Sequence, residues 1–442
     1  MNKILFYFLF YLTALGTLNA QNNEVIKIDN LTSLWKLAIE NNPTQKVYAL
    51  KKQQTIDDRK TAESYKYPQA TIGINGQDNL IQSVTPVPGI IFNKPGTVYL
   101  QFGKHYTYNS GLTITKDLFT WQSKWQEKIA KENIALNTVQ QEAFIQTLKT
   151  QIGQYYYVLL VAKSSIKIAE RDILVADSAF QTAKQKFKEG LTDASFVNQA
   201  NINKNNVSQN LETSQLLYNQ AMANLKILSG VSANTIFAFK ENSIDNESNQ
   251  INEEYSGLGT DKTLIPYSLN ITIAEMQCKA QIAATYPKFV ATGYFGFQQF
   301  QDNFKLGFEK NSWTDYQYIG LGLNWPIFTG FANSNKLKSI TTQKQIAETN
   351  LKAATFQSAV NDSLLIQNYQ TYQRMTITSK NSFELYGKNL GLSMLKFKEG
   401  LVSIDNYLKI FQDYLTAENT YLNNLTNYLS TKVAIEARAS TP

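Results

Sequence analysis

The chain has 442 residues, of which 43% are hydrophobic, 21 are Gly and 9 are Pro, and its formal net charge is +7. This composition favours extended helices over a compact enzyme core, and because the basic residues alternate with acidic ones, we expect no nucleic-acid partner. One Cys and one His at distant positions exclude an intrachain disulfide, the usual zinc sites and the Cys-His and Ser-His relays. We therefore expect no enzyme activity, no metal and no cofactor.

The first 20 residues have the pattern of a secretory signal peptide. A charged start, Met1-Asn2-Lys3, precedes an apolar run from Ile4 to Leu18, and the small residue Ala20 follows. The sequence therefore predicts a cleaved signal over residues 1–20. No later apolar run is about 18 residues long, so no transmembrane helix is expected. We expect the lone Cys278 to be a small buried helix residue and the lone His105 to lie at a surface or an interface.

The first repeat is predicted over residues 21–235. It begins with a helix from Leu31 to about Lys66, with a break at Asn42-Pro43. Alternating apolar and polar residues then predict β-strands over 68–78 and 106–118, separated by a Pro/Gly-rich loop. Thr120 is expected to cap a helix from Trp121 to Lys188, about 68 residues long. A tight reversal at 188–193 leads into the return helix.

The second repeat is predicted over residues 263–442, after a polar linker at 236–262. It has a helix, strands at 287–300 and 315–326, a second helix of about 68 residues, a reversal at 398–403 and a return helix. The spacing from Pro68 to Phe119 exceeds that from Pro287 to Phe328 by about ten residues. We therefore expect a shorter loop between the strands of the second repeat.

The two reversals have nearly the same amino-acid sequence. Lys186-Phe187-Lys188-Glu189-Gly190-Leu191 recurs as Lys396-Phe397-Lys398-Glu399-Gly400-Leu401. In each copy the Gly suits the left-handed residue just past a helix end, and the Thr, Asp or Ser that follows suits an N-cap. The chain is therefore interpreted as an internal duplication of a helical hairpin.

The long helices carry a coiled-coil seam of period 3.5. In the first, the seam alternates large residues with Ala162, Ala169, Ala176 and Ala183. These small side chains would allow a neighbouring helix to approach closely.

Four strands of about ten residues are long enough to cross a bilayer at a tilt, but too few to close a barrel. The pattern therefore predicts that copies of the chain share one barrel. Six aromatic residues near the strand ends are expected in girdles at the membrane interfaces: Tyr106, Tyr108, Trp313, Tyr316, Tyr318 and Trp325. The alternative is a soluble β-layer with an aromatic core.

The arrangement resembles the TolC-like outer-membrane efflux protein family across nearly the whole mature chain. The resemblance is carried by both tips and by Asn42-Pro43, Tyr67-Pro68, Asp117-Leu118-Phe119 and the run Trp325 to Gly330. It implies a mainly α-helical homotrimer with a twelve-stranded barrel in the outer membrane and a twelve-helix tunnel in the periplasm. It also implies that the tips dock onto a periplasmic adaptor bound to an inner-membrane transporter, through Gly190, Leu191, Thr192, Gly400, Leu401, Val402 and Ser403.

The chain departs from the family at the periplasmic entrance. Where the resemblance implies acidic residues six and nine positions after the second tip Gly, this sequence has Asn406 and Lys409. Three copies of Lys409 would favour anions at the entrance. A solvated helix surface is the alternative explanation.

The function predicted from the resemblance is a passive exit duct of a tripartite efflux or type I secretion system. The partners would drive transport and select a drug, metal or protein cargo. The rival hypothesis is a secreted coiled-coil scaffold or adhesin without a pore, which would have no need of four membrane-length strands.

Overall fold

The computed structural model describes residues 25–101, 103–240, 257–308 and 312–439. The predicted signal peptide lies outside the described residues. In chain order the elements are β1 (Val25–Ile28), α1 (Leu31–Asn41), α2 (Pro43–Glu63), β2 (Gln69–Asp78), β3 (Val84–Pro88), β4 (Thr97–Gln101), β5 (Tyr106–Phe119), α3 (Trp121–Lys188), α4 (Ala194–Ser229), β6 (Ile236–Phe239), α5 (Ile265–Ala283), β7 (Lys288–Gln301), β8 (Thr314–Asn324), α6 (Ala332–Lys398) and α7 (Ile404–Ala439).

The chain divides into two compact units. Unit 1 comprises residues 1–50, 139–265 and 353–442, and unit 2 comprises residues 51–138 and 266–352. Each predicted repeat contributes segments to both units.

The long helices agree closely with the periodicity. α3 has 68 residues and α6 has 67. The four seam alanines of α3 are all buried, as are the α7 leucines that recur every seven residues, Leu408, Leu415, Leu422 and Leu429. No helix in the described ranges is both long and apolar enough to span a bilayer. The expected N-cap of α3 was wrong, because Thr120 Oγ1 is buried and has no hydrogen-bond partner among the described residues.

The core of unit 1 joins α1 to α3, α4 and α7. Leu34 of α1 and Leu225 of α4 are fully buried in this cluster, and Trp35 Nε1 donates a 2.8 Å hydrogen bond to the carbonyl of Lys149 in α3. The Asn42-Pro43 break has a clear structural role. Asn42 Nδ2 donates to the carbonyl of Leu228 in α4, and its Oδ1 accepts from the Thr44 N–H, so one side chain caps α2 and ties it to α4.

A parallel pair of short strands in unit 1 was not predicted. β1 and β6 pair from Val25↔Ile236 to Ile28↔Phe239. The start of the described chain is therefore paired with the segment that follows the first hairpin, in what the sequence pattern treated as the linker.

Unit 2 contains a four-stranded antiparallel sheet in the order β2-β5-β7-β8. All four strands were predicted, to within about two residues at each end. The segment predicted as a Pro/Gly-rich loop contains the antiparallel hairpin β3-β4. Proline is tolerated there because each strand of a two-stranded ladder has a free edge. The loop between β7 and β8, residues 302–313, is shorter than the one between β2 and β5, as the spacing predicted.

Candidate functional site

The two hairpin tips in unit 1 have nearly identical backbone geometry. Gly190 and Gly400 have left-handed φ angles of 70° and 73°. The Leu191 N–H donates to the Lys186 carbonyl at 2.9 Å, and the Leu401 N–H to the Lys396 carbonyl at 2.8 Å. Together with the bonds from each Gly N–H to the Phe carbonyl three residues back, this is a Schellman cap at both tips. The repeated sequence therefore specifies the same turn at both tips.

The next helix of each hairpin begins at a side-chain cap. Asp193 Oδ1 accepts from the Ser195 N–H at 2.9 Å, and Ser403 Oγ accepts from the Asn406 N–H at 3.3 Å. Asp193 and Ser403 are therefore N-caps, as their residue types predicted.

The two tip leucines are not buried by the turns to which they belong. Leu191 is 70% exposed and Leu401 is 74% exposed. A Cβ added to either tip Gly would meet nothing within 4 Å. The tips therefore present two exposed apolar side chains, each beside a Gly with open space around it.

Behind the tips, the two hairpins pack into one cluster. Phe397 and Tyr407 stack with ring centroids 5.1 Å apart, and Lys186 Nζ lies 4.4 Å from the Phe397 ring centroid. Asn203 of α4 donates to the carbonyl of Leu408 in α7. Burial raises the pKa of Tyr407 to about 12. The tips are thus held on a rigid base of packed aromatic and polar contacts.

A buried pair of carboxyl groups lies between α3 and α7. Asp172 and Glu418 are further from the tips in the sequence than the stacked Phe397 and Tyr407 are. Asp172 is 6% exposed and Glu418 is 4% exposed. Burial raises the pKa of Asp172 to about 6, and burial together with the neighbouring Asp172 raises the pKa of Glu418 to about 8. Tyr414 donates to Asp172 Oδ1 at 3.4 Å, while Asp172 Oδ2 has no hydrogen-bond partner among the described residues.

The predicted entrance residues lie on the opposite side of α7 from its core face. Asn406 and Lys409 are both exposed, whereas their neighbours Tyr407 and Leu408 are each only 2% exposed. The prediction that Lys409 lines an entrance is compatible with this position and stays a prediction.

The sheet of unit 2 has one apolar and one polar face. Strand register places Ile72, Leu112 and Phe295 in one cross-strand row, and Thr71, Thr113 and Tyr294 in the next row on the other face. The apolar side chains at the outer strands are largely exposed: Ile72 is 83% exposed and Ile319 is 81% exposed. Both β2 and β8 have one side with no paired strand among the described residues.

Four of the six aromatic residues proposed for a girdle divide between these faces, and the two tryptophans lie just outside β8. Tyr318 is paired with Tyr294, and both contact Tyr316, so these rings lie on the polar face with the threonines. Tyr106 and Tyr108 share the apolar face, although Tyr108 is 5% exposed. Trp313 donates to the Gly307 carbonyl in loop 302–313, and Trp325 follows the last residue of β8.

Two features of unit 1 were missed by sequence reasoning. Gly153 lies inside α3, where an added Cβ would come within 1.9 Å of a Val433 methyl group, so it marks a close approach of α3 and α7. The buried carboxyl pair was also missed, because a lone Asp and a lone Glu on separate helices resemble surface charges. In a sequence, the Gly in a helix interior is the one signal that could have been followed.

Neither the single Cys nor the single His of the chain is deeply buried. Cys278 is a free thiol in α5 and is half-buried rather than buried as expected, whereas the His105 side chain is exposed, in agreement with a surface position. Within the described ranges, no group of three or more His, Cys, Asp or Glu residues is arranged to hold a metal ion.

Comparison with known proteins gives one family and several similar folds. Residues 34–231 match the family model described as outer membrane efflux protein. A comparison with curated protein sequences gives no significant match. CusC, whose structures describe transmembrane channel formation, matches with a TM-score of 0.74 at 17% identity over 94% of this chain and 93% of its own.

Two further solved structures have the same fold. The Campylobacter jejuni CmeC outer membrane channel matches with a TM-score of 0.71 at 16% identity, over 92% of this chain and 85% of its own. The open state of the Neisseria gonorrhoeae MtrE outer membrane channel matches with a TM-score of 0.68 at 14% identity, over 92% of this chain and 88% of its own. The architecture of this chain is therefore shared by several solved outer-membrane channels.

Proposed function

We propose that this chain, whose residues 34–231 match the outer membrane efflux protein family model, is the outer-membrane exit duct of a tripartite efflux or type I secretion system. Three copies would contribute four strands each to a shared barrel and four long helices each to a periplasmic tunnel. The proposal involves no chemical step and no cofactor. Transport would be driven by an inner-membrane pump.

The observation that carries this proposal is the four-stranded sheet with an exposed apolar face and two open edges. In lipid, an unpaired strand edge leaves backbone N–H and C=O groups unsatisfied at a cost of several kcal/mol each. Copies of the same chain can remove that cost by pairing β2 of one with β8 of the next. Exposed Ile72 and Ile319 would then face lipid, and the threonines of the other face would line a wet lumen.

The tips support the second half of the proposal, docking to a periplasmic adaptor. Leu191 and Leu401 are exposed on two copies of the same rigid turn, so a partner could recognise both in the same way. We assign to the docking surface the tip residues Gly190, Leu191, Thr192, Gly400, Leu401, Val402 and Ser403.

The register refines the proposed membrane girdle. Tyr106 and Tyr108 are on the face that would meet lipid, whereas Tyr316 and Tyr318 share the polar face with Tyr294. In the duct, the second group would therefore line the lumen. We retain the lipid-interface role for the first group and for the tryptophans that flank β8, Trp313 and Trp325.

The rival function, a secreted coiled-coil scaffold, uses the long helices but not the sheet. Exposed apolar side chains along β2 and β8 would be a liability in such a protein, because contiguous apolar patches promote association. The same patches are required of a chain that assembles in a bilayer. We therefore favour the duct.

Membrane fractionation and light scattering of the native protein in mild detergent test the proposal. One chain has a mass of 50.0 kDa, so an outer-membrane protein of about 150 kDa is expected. A soluble monomer or dimer would refute the duct and leave the scaffold as the better explanation.

A matched pair of substitutions on β2 tests which face meets lipid. Ile72→Lys and Thr71→Lys place the same charge on adjacent exposed residues of opposite faces. A Lys facing the bilayer midplane costs about 2–4 kcal/mol, whereas one facing water costs little. Ile72→Lys should therefore impair membrane assembly and Thr71→Lys should not. Equal effects would contradict the assigned faces.

A further inference from the structure

The apolar face of the sheet ends at an irregular pairing between β5 and β7. The register shifts between Asp117 and Phe119, so that Phe119 rather than Leu118 is opposite Phe289. Phe289 shares a face with Ala291 and Phe295, and the shift therefore brings Phe119 onto the apolar face just before α3 begins. The bulge places an aromatic ring at the strand end that leads into the helix.

Aromatic and lysine side chains continue from this ring along α3. Trp121 meets Phe119 edge to face, with ring centroids 4.7 Å apart, and Lys124 Nζ lies 4.5 Å from the Phe119 centroid and 5.3 Å from that of Trp121. One turn further, the Trp125 ring has Lys128 Nζ at 4.4 Å and Lys279 Nζ, from α5, at 5.2 Å. We call Trp121, Lys124, Trp125, Lys128 and Lys279 the lysine-tryptophan patch.

The lysines of this patch form no ion pair with an acid among the described residues, although the charge of Lys279 also acts on Glu275. All three lysines are exposed. The nearby acid Glu127 accepts from Tyr65 and pairs with Lys66 at 2.7 Å, and Glu275 pairs with Lys344 at 2.9 Å. Three ammonium groups held against aromatic rings are thus left to face an anion supplied from outside the chain.

We propose that the lysine-tryptophan patch binds the headgroup phosphate of an anionic phospholipid. Phe119 and Phe289, at the end of the apolar face, would lie at the boundary with the acyl chains. Tryptophan side chains favour that boundary, and lysines extend from it towards phosphate. This inference rests on the proposed function, because it takes the apolar face to lie in lipid. It adds a specific lipid contact that fixes the depth of the sheet in the bilayer.

Native mass spectrometry of the purified assembly in mild detergent tests the patch, with phosphatidylglycerol and phosphatidylcholine as the added lipids. The wild type should bind phosphatidylglycerol preferentially. A lysine near an anionic lipid surface changes affinity about five-fold, so the double variant Lys128→Gln, Lys279→Gln should lose about 25-fold of the preference. The control variant Lys336→Gln, Lys338→Gln removes two exposed lysines of α6 in the same unit and should keep it. An equal loss in both variants, or no loss in either, would overturn the proposal.

Soluble glycerol phosphate, added in competition, separates a lipid from a free phosphate. It should not displace phosphatidylglycerol at equal concentration, and displacement would overturn the assignment to lipid. The results distinguish a failure of the lipid-binding proposal from a failure of the proposed duct function. An outer-membrane trimer without lipid preference refutes the patch alone, whereas a soluble chain refutes the duct whatever its lysines bind.

Discussion

The substitution Glu418→Gln should remove most of the pH dependence of stability that originates between α3 and α7. Gln has nearly the same shape as Glu but carries no titratable proton, so it isolates ionisation from packing. In the wild type, burial and the neighbouring Asp172 raise the pKa of Glu418 from 4.5 to about 8. The unfolded chain loses this proton near pH 4.5, while the folded chain keeps it until about pH 8. Stability from this group is therefore present below pH 4.5 and is lost as the pH rises towards 8.

The magnitude follows from the size of the shift. With these two pKa values, raising the pH from 5 to 8 lowers the free energy of unfolding by roughly 3–4 kcal/mol through Glu418. Asp172, whose pKa is raised to about 6, acts in the same direction over a lower pH range. Two other titratable groups act on the pair: the exposed Arg171 through its charge, and Tyr414 through its hydrogen bond to Asp172.

Thermal unfolding followed by helical circular dichroism at pH 5 and pH 8 measures the effect. The melting temperature of the wild type should fall with rising pH, and that of Glu418→Gln should fall much less. Glu384→Gln, at an exposed position of α6, is the control and should behave as the wild type. If Glu418→Gln retained the full pH dependence, the buried carboxyl pair would not be its source.

Three further substitutions test other parts of the structure. Leu191→Asp combined with Leu401→Asp should abolish binding of a periplasmic adaptor in a pull-down but change stability by less than about 0.5 kcal/mol, because both side chains are exposed; retained binding would remove the tips from the docking surface. Gly153→Ala should lower stability by about 1–3 kcal/mol through its clash with α7, whereas Gly391→Ala, which meets nothing within 4 Å, should be neutral or stabilising in the same melting assay. Lys409→Asp should shift the ion preference of single channels in planar bilayers from anions towards cations, and an unchanged preference would exclude this residue from the entrance.

The parts of the fold that sequence predicted are those with a strong local signal. α3 begins and ends at the predicted residues because one apolar period runs through it and a left-handed Gly follows it. The four sheet strands were found because apolar and polar residues alternate along them. Both tips were recognised for the same kind of reason, since a Gly and an N-cap residue specify the reversal within a few positions.

The parts that were missed depend on residues far apart in the chain. β1 and β6 have four residues each, which is too short for a period, and they are stabilised by pairing with each other and by the burial of Ile28 and Phe237 in the core of unit 1. β3 and β4 were hidden by prolines that are excluded from central strands but not from an edge. Asp172 and Glu418 are buried because two helices from different hairpins contact each other there. The sequence near either residue does not indicate that contact.

The pairing of β1 with β6 also constrains the order in which the chain can fold as it is made. Val25–Ile28 leaves the ribosome roughly 200 residues before Ile236–Phe239, its partner in the parallel ladder. At a synthesis rate of about 5–20 residues per second, this first strand has no partner for at least about 10–40 s. During that interval its backbone groups are open to binding by a chaperone or by another nascent chain. The first hairpin must therefore be synthesised before β1 can pair with β6.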